Sequence, residues 1–451
     1  MSYLFGLLHP SKIKKEIDRI LLIVFFFVLP FERIPSVQLR NVTVRASLIA
    51  GAFLIARAGW LLYQKKKILQ IDLPIKLLVL FIAWIAVLLP FSMNFARGIT
   101  VFVFTCFTIF VAMAVRVLFE KRYLGDILRS LIISASIILI FCTYQYVGNI
   151  LGLPNWITGL RDRYSWQQFG FPRVQGTSLE PLYLASYLLL PFSILFAAVA
   201  TNTNLIPKRV FRLSLVLLVG LSAVVFMTVS RGGVLAGIAS IVSIVIFGLV
   251  VKRVNSVRAA KAIALVVAGV FIGFIFITFL NKTPQNLLLT NGKKGNNALA
   301  NQLTKTGLEG SGDERAQVRG LAISILKASP KNLIIGIGPG QFGPYVQPDK
   351  DSKGDGWWIV NNESLELLVE YGVIGLLIFL SFIASLLYKL WKVIGGKDPV
   401  VATVALGIVG YIVAVGVQYQ TFSTLYIVHI WAAIGLALAL AAQKDKPSRN
   451  L

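Results

Sequence analysis

The 451-residue sequence is poor in residues that bind metals or form disulfides, with only two cysteines and two histidines. Cys106 and Cys142 both lie inside apolar runs, where a cysteine is typical of a small core residue and indicates no disulfide framework. His9 and His429 are too few and too far apart in sequence to indicate a metal site or a proton relay. The sequence also lacks a P-loop and a dinucleotide fingerprint, since Gly336-Ile-Gly-Pro-Gly340 has the wrong spacing and follows no βαβ unit. We therefore expect no metal and no cofactor.

Charged residues are also scarce. They make up 14% of the chain, whereas hydrophobic residues make up 57%. Apolar runs of about 20 residues, the length that crosses a bilayer as a helix, recur along the sequence. The composition therefore predicts an all-α integral membrane protein, with residues 1–451 forming a single polytopic domain. Few charges fall within the apolar runs, which disfavours an ion-coupled transporter.

Hydropathy predicts about twelve transmembrane helices. They lie near 18–31, 44–63, 72–91, 99–118, 128–150, 180–201, 211–229, 233–251, 260–280, 364–388, 399–417 and 423–442. The first run is long enough to stay in the membrane, so we expect no cleaved signal peptide.

The formal net charge of +25 is spread over short basic clusters between the apolar runs, so no nucleic acid partner is expected. The loops richest in Lys and Arg are expected to face the cytoplasm. They include the segments 12–19 and 444–449 and the run Lys65-Lys66-Lys67. Both termini are therefore predicted to be cytoplasmic.

Two long segments, 151–179 and 281–362, are then predicted on the outer side. The first is rich in aromatic residues, which suits either the membrane interface or stacking on sugar rings; these are Trp156, Tyr164, Trp166, Phe169 and Phe171. The second is the only long polar interval of the chain, and loops of this length are usually functional or disordered. We expect 282–305 to be mobile.

A helix is predicted near 312–328, within the second outer segment. Ser311-Gly-Asp-Glu314 fits a capping box, and Pro330 ends the helix. Apolar residues recur on one face, which predicts a helix lying on the outer surface of the bundle; these are Val318, Leu321, Ala322, Ile325 and Leu326.

Three arginines of the outer side are candidates for anion binding. Arg315 and Arg319 share one face near the start of the predicted helix, where a phosphate or pyrophosphate would relieve their mutual repulsion. The alternative is that Arg315 pairs with Asp313 or Glu309 and Arg319 faces water. Arg231 stands between two apolar runs, where a charge is costly, which favours a functional role over snorkelling to lipid headgroups.

Arg173 and Glu180 lie where the first outer segment enters the sixth predicted span at Pro181. Glu180 is either a residue near the helix N-cap, favoured by the helix dipole, or a partner for Arg173.

Asn361-Asn362-Glu363 begins the tenth predicted span, where Asn suits an N-cap and Glu suits the first turn. Glu363, Glu366 and Glu370 share one helix face. Helix capping does not explain Glu370, which lies about two turns in, where a carboxylate is costly unless paired. One of the three carboxylates could act as a general base or as a partner for an arginine.

Four stretches, in this order, carry a further pattern. They are Arg173-x-x-Gly176-Thr177-x-x-Glu180-Pro181 with Leu184-Ala185-x-Tyr187-Leu188; Ser230-Arg231-Gly232-Gly233; Arg315 followed by Pro330 and Gly336-Ile-Gly-Pro-Gly-Gln-Phe342; and Asn362-x-x-Leu365-x-x-x-x-Glu370-x-Gly372-x-x-Gly375. Together with the long outer loop before the tenth span, this pattern resembles the O-antigen ligase and polymerase superfamily of bacterial surface-polysaccharide enzymes. The resemblance covers roughly 170–380.

The resemblance implies a glycosyltransferase of the bacterial inner membrane. Its donor would be a glycan linked to polyprenyl pyrophosphate at the outer face, its acceptor a glycan or a lipid, and neither a nucleotide sugar nor a metal would be needed. Arg173, Arg231 and Arg315 would surround the pyrophosphate and stabilise the departing group. Taken with the residue patterns above, the predicted catalytic residues are Arg231, Arg315, Glu363 and Glu366, and the predicted substrate-binding residues are Arg173, Glu180, Arg319, Asn361, Asn362 and Glu370.

One departure from the family pattern bears on the reaction. Ligase-type members carry a histidine immediately before the Asn of the last motif, and here that position is Asn361. Because a neutral amide cannot accept a proton, either Glu363 or Glu366 activates the acceptor hydroxyl or the enzyme relies on leaving-group stabilisation. This favours a polymerase over a ligase that transfers finished glycan to lipid A-core or protein. A small-solute transporter is the alternative from another class.

Overall fold

The computed structural model of the chain describes residues 10–34, 36–39, 42–205, 208–279, 311–347 and 358–443. Within these ranges the regular secondary structure is helical apart from one antiparallel hairpin of β1 (Ser36–Leu39) and β2 (Val42–Arg45), in which Ser36 pairs with Arg45 and Leu39 with Val42. The all-α prediction is confirmed, and the hairpin is the one addition to it in this part of the chain.

The helices fall into three groups along the chain. The first group is α1 (Pro10–Val28), α2 (Ala46–Tyr63), α3 (Leu73–Leu88), α4 (Phe95–Leu118) and α5 (Leu124–Ile150). Two short helices, α6 (Asn155–Thr158) and α7 (Trp166–Phe169), precede α8 (Pro181–Thr201), α9 (Lys208–Met227), α10 (Arg231–Val250) and α11 (Ser256–Thr278). The last group is α12 (Ser311–Ala328), α13 (Pro330–Ile335), α14 (Phe342–Val346), α15 (Glu363–Ile394), α16 (Pro399–Gln418) and α17 (Val428–Gln443).

Nine helical segments in the described ranges are long and apolar enough to cross a membrane. They belong to α2, α3, α4, α5, α8, α10, α11, α15 and α16. The apolar stretches of α9 and α17, at Leu213–Met227 and Val428–Ala442, are shorter. Each predicted span falls mainly on a helix, with 18–31 on α1, while the count of twelve stays a prediction.

The core of the bundle is centred on α8. In its apolar stretch, 89% of the residues are buried, because α9, α10, α11 and α16 pack around it. A helix that is apolar on all sides is expected at such a central position.

Loops predicted to share one side of the membrane meet at one end of the bundle. Asp72, before α3, binds Arg116 of α4 at 2.8 Å and Lys389 of α15 at 2.6 Å, and Lys121 binds Asp398 at 2.7 Å. Burial disfavours the Asp72 carboxylate, but Arg116 and Lys389 outweigh this effect and hold its pKa below the ordinary value. All five residues belong to loops or helix ends assigned to the cytoplasmic side, so these contacts agree with the predicted alternation of successive loops between the two sides of the membrane.

The helix predicted near 312–328 is confirmed as α12, and Pro330 begins the next helix. Val318, Ala322 and Ile325 of the predicted apolar face are buried, and Leu326 packs against the same cluster. Leu321 is 41% exposed, so the buried face is narrower than predicted. The segment 282–305 and the side chains of 311–314 lie outside the described residues, as do the predicted partners Glu309 and Asp313 of Arg315.

Helix α15 is broken at Gly372, whose φ of +69° and ψ of −178° are not helical. The break leaves three backbone carbonyls of the preceding turn, those of residues 369–371, without partners inside the helix. Non-helical backbone at membrane depth requires such groups to be satisfied elsewhere.

The partners of these carbonyls come from two other segments. The amides of Ile337 and Gly338 donate to the carbonyls of Val369 and Glu370 at 3.0 and 2.9 Å. The indole Nε1 of Trp84, in α3, donates to the carbonyl of Tyr371 at 2.9 Å. The turn Gly336-Ile-Gly-Pro-Gly340 therefore has a structural reason: its backbone pairs with the broken turn of α15.

Replacing Gly372 by Ala is expected to lower the stability of the protein. An alanine Cβ would lie 2.2 Å from the Ile334 carbonyl oxygen, and the backbone conformation is one that L side chains rarely adopt. The strain alone costs about 1–3 kcal/mol, so the thermal midpoint of the purified protein in detergent should fall. The control is Gly416→Ala in α16, where a Cβ meets nothing within 4 Å. Equal midpoints for the two variants would contradict the prediction.

Candidate functional site

Arg173 lies in the loop before α8 and reaches the end of α9. Its Nε donates to the carbonyl of Thr228 at 3.2 Å and its Nη2 donates to that of Val229 at 3.4 Å. Carbonyls at a helix C-terminus attract a cation. The guanidinium also lies 5.7 Å from the centre of the Tyr164 ring. Arg173 is therefore held in a fixed position by backbone and ring contacts.

The other two arginines of the predicted cluster lie within electrostatic range of Arg173. Burial lowers the pKa of Arg173 from its ordinary value, Tyr164 and Glu180 oppose this effect, and the charges of Arg231 and Arg315 add to it. The structure thus brings together the three arginines that the sequence singled out. Mutual repulsion of this kind is relieved by an anion.

Arg231 is the first residue of α10 and is exposed. The hydroxyl of Ser230 caps this helix by accepting a hydrogen bond from the Gly233 amide at 3.2 Å. Gly232 lies against the loop formed by residues 419–424, since a Cβ there would be 2.3 Å from the Thr421 hydroxyl oxygen. The glycines after Arg231 therefore let the start of α10 approach this loop closely.

Arg319 of α12 contacts the same loop, because its Nη2 donates to the Gln420 carbonyl at 2.8 Å. This contact differs from the predicted alternative in which Arg319 faces water. Glu180 was predicted to lie near the helix N-cap or to be a partner for Arg173. Its ion pair is with Arg163 instead, at 3.1 Å. Arg315 is exposed on α12.

The two asparagines at the start of α15 also contact the 419–424 loop. Asn362 caps the helix as predicted, since its Oδ1 accepts from the Leu365 amide at 3.0 Å, while its Nδ2 donates to Gln420 Oε1 at 3.0 Å. The Asn361 amide donates to the Ser423 hydroxyl at 3.0 Å. Asn361 has a φ of +58°, a left-handed conformation in which both Asn and His are enriched.

Glu370 and Glu366 hold loops in place. Glu370 accepts hydrogen bonds from the amides of Gly340 at 2.8 Å and Phe342 at 3.3 Å. Glu366 accepts from the Val360 amide at 2.8 Å and from the Ser423 hydroxyl. These contacts explain why carboxylates are tolerated so far into the helix.

Glu363 is different from the other two carboxylates. It is buried, and one of its oxygens, Oε2, has no hydrogen-bond partner within the described ranges. The carboxylate accepts a backbone hydrogen bond from Thr424, on the 419–424 loop. Of the three carboxylates, Glu363 therefore has the most acceptor capacity left for a substrate.

Two cavities meet at Glu363. The smaller, of about 20 Å³, also contains Glu366, Glu370 and Arg97 in its lining. The larger, of about 130 Å³, begins at Glu363 and Ser364 and continues between α15, α16 and α17. Its lining is otherwise mainly apolar, with Leu367 and Trp431 among the residues exposed to it.

Sequence reasoning did not single out Arg97. Arg97 is 7% exposed, lies at the start of α4, and donates to the Trp358 carbonyl at 3.1 Å. Its positive charge faces Glu366 and Glu370. The available signal was its position three residues after Asn94, whose side chain caps α4 by accepting from the Arg97 amide at 3.0 Å.

Gln341 was also missed, and it joins the glycine-rich turn to α4. Its Oε1 accepts from the Asn94 amide at 2.7 Å and its Nε2 donates to the Asn94 carbonyl at 3.1 Å. The turn of 336–342 is thus attached to α4 on one side and to α15 on the other. Among the residues that the structure describes, no group of three or more His, Cys, Asp or Glu is arranged to hold a metal ion.

The fold and the site together define a multi-pass membrane protein with an arginine cluster and buried carboxylates at one end. The family model described as O-antigen ligase matches residues 213–380, from α9 into α15. The resemblance to the O-antigen ligase and polymerase superfamily is thereby confirmed, and it indicates a glycosyltransferase-type enzyme of the bacterial inner membrane. A search of curated proteins gave no match.

The Glu370→Gln substitution is expected to loosen the glycine-rich turn. A glutamine offers one acceptor oxygen where the carboxylate offers two, so either the Gly340 or the Phe342 amide loses its partner. Losing a buried partner costs about 1–3 kcal/mol, which corresponds to roughly 5- to 150-fold faster hydrogen exchange at these amides. Mass spectrometry of peptides covering 338–345 measures this rate. The control is Glu120→Gln, at the opposite end of the helical bundle. Unchanged exchange in Glu370→Gln would show that the carboxylate does not hold the turn.

Proposed function

We propose that the protein polymerises polysaccharide repeat units from donors linked to polyprenyl pyrophosphate, at the outer face of the bacterial inner membrane. The observation that carries this proposal is the grouping of Arg173, Arg231 and Arg315. The start of α10, where Arg231 lies, packs against the 419–424 loop, and the same loop contacts Glu363. Both termini are cytoplasmic in this proposal, and 281–362 is an outer loop of a single membrane domain.

The arginines suit the pyrophosphate of the donor. Guanidiniums bind phosphate oxygens through paired N–H groups and stay charged at all physiological pH values. As the bond between the sugar and the pyrophosphate breaks, negative charge grows on the leaving group. Preorganised cations at that position lower the barrier because they stabilise the transition state more than the ground state. Arg319 supports this arrangement by attaching α12 to the loop.

Glu363 is the proposed general base. The acceptor hydroxyl oxygen attacks the anomeric carbon from the face opposite the pyrophosphate, and the proton of the hydroxyl passes to the Glu363 carboxylate. The electron pair of the broken C–O bond leaves with the polyprenyl pyrophosphate, so the new glycosidic bond has inverted configuration. Glu366 and Glu370 position the surrounding loops, and Asn361 and Asn362 shape the entry to α15. Glu180, paired with Arg163, borders the arginine cluster.

The larger cavity at Glu363 supports a substrate that carries a lipid. It extends from a carboxylate at the outer end of α15 along apolar side chains of three helices. The apolar lining suits a hydrocarbon chain, and the polar residues at one end of the cavity fix the orientation of the bound molecule. The family match argues against the transporter alternative.

The reaction can be tested with purified protein and lipid-linked repeat units. Wild type should produce a ladder of products, and both Arg231→Ala and Arg315→Ala should slow its formation by about 10²- to 10³-fold. Glu363→Gln, which keeps the shape but cannot take up the proton, should slow it by about 10²- to 10⁴-fold. Lys327→Ala removes an exposed cation from the same helix as Arg315 and should leave the ladder unchanged. Normal ladders in the arginine variants would refute the assignment of the cluster.

A ligase is the second candidate, because the matching family model carries that description. Cells lacking a polymerase should accumulate single lipid-linked repeat units. Cells lacking a ligase should accumulate long lipid-linked chains that are not attached to an acceptor. Gel analysis of lipid-linked glycans from a deletion strain separates the two outcomes, and long unattached chains would refute the polymerase assignment.

A further inference from the structure

A third cavity, of about 790 Å³, opens beside the arginine cluster. It lies between the segment that follows α1 and the outer segment around α6. Arg33, Arg161, Asn155, Asp162 and Trp156 are among its lining residues. None of them belongs to the site derived above, and the cavity is broad and open to solvent.

Two arginines line this cavity within electrostatic range of one another. Burial lowers the pKa of Arg33, and the positive charge of Arg161 lowers it further. The Nη2 of Arg33 donates to the Gly159 carbonyl, whereas its buried Nε has no partner in the described ranges. Neither arginine forms an ion pair with a carboxylate in this part of the chain, because Asp162 accepts a hydrogen bond from Asn155 instead. An anion between Arg33 and Arg161 would satisfy both.

Trp156 adds an aromatic surface to the same cavity. Its side chain is 83% exposed, and an exposed indole suits either the membrane interface or the face of a sugar ring. A membrane anchor alone does not need a pair of arginines in the same cavity. A sugar that carries a carboxylate uses both features, since the carboxylate matches the guanidinium groups and the ring matches the indole.

The cavity is next to the arginine cluster. The guanidinium of Arg163, which also lines the cavity, lies 4.9 Å from the centre of the Tyr164 ring, and that of Arg173 lies 5.7 Å from the same centre. Arg163 and Arg173 therefore both lie near Tyr164, which connects the cavity lining to the proposed pyrophosphate region. A glycan that extends from the cluster past Tyr164 would place a further sugar in the cavity.

We propose that this cavity binds an acidic sugar of the glycan, a hexuronate whose carboxylate lies between Arg33 and Arg161 and whose ring stacks on Trp156. The proposal deepens the proposed function, because it rests on a glycan being the substrate. It names the substrate class as an acidic polysaccharide.

The test is a binding measurement on the full-length protein in detergent. Tetragalacturonate should bind at least 10-fold more tightly than the neutral maltotetraose, and the difference should shrink at high salt. Arg161→Gln and Trp156→Ala should each weaken tetragalacturonate binding by at least 5-fold. Lys331→Gln, an exposed outer cation outside the cavity, is the matched control and should leave it unchanged. Equal binding by wild type and either cavity variant would overturn the proposal.

Competition separates the sugar from other anions. If inorganic phosphate displaces tetragalacturonate at equal concentration, the cavity is a simple anion site; if short-chain phosphatidylglycerol does so, it is a lipid headgroup site. Either result would overturn the proposal. Binding is measured without turnover, so the outcomes are separable from the proposed function. If the protein binds tetragalacturonate but forms no ladder, the sugar subsite stands and the polymerase assignment is refuted. If it forms a ladder but does not bind tetragalacturonate, only the sugar subsite is refuted.

Discussion

The site depends on one constraint: the backbone groups freed where α15 breaks at Gly372 must find partners inside the protein. Trp84 and the amides of Ile337 and Gly338 supply them. This requirement attaches the glycine-rich turn to α15, and Gln341 then attaches the turn to α4 through Asn94. Three segments that are distant in sequence are thereby held around the carboxylates. Since a bilayer offers no water to replace these hydrogen bonds, the arrangement is enforced more strongly than it would be in a soluble protein.

The site separates positive from negative charge. Arg173, Arg231 and Arg315 form one group and Glu363, Glu366 and Glu370 form another, with Arg97 as the cation near Glu366 and Glu370. Gln420 and Ser423 belong to the 419–424 loop, and they bind Arg319, Asn362, Asn361 and Glu366. Direct pairing of the arginines with these carboxylates would neutralise both sets. Polar, uncharged residues of this loop instead contact the helices that carry the two groups, and Glu363 keeps an oxygen that can accept a proton.

Sequence reasoning recovered the helices and the residue types of the site but not the partners of each residue. Apolar run length predicted the helices, because a bilayer sets their length. The helical spacing of Val318, Ala322 and Ile325 predicted the buried face of α12. By contrast, the partners of Glu370 and Glu366 are backbone amides of loops, which leave no trace in side-chain pattern. Arg97 and the 419–424 loop were missed because their importance comes from tertiary contacts with segments far away in sequence. Sequence reasoning placed the three carboxylates on one helix face and set Glu370 apart, whereas the contacts set Glu363 apart from the other two.

The break at Gly372 also fixes the number of residues between Asn362 and Gly372. The outer part of α15 is held at its start by Asn362 and at its end by the hydrogen bonds to the broken turn. One inserted or deleted residue between these two points would rotate everything beyond it by about 100° around the helix axis. Either the carboxylates would turn away from their cavity or the freed carbonyls would turn away from Trp84 and the glycine-rich turn. The interval from Asn362 to Gly372 is therefore a segment in which the number of residues is fixed as well as the positions of Glu363, Glu366 and Glu370.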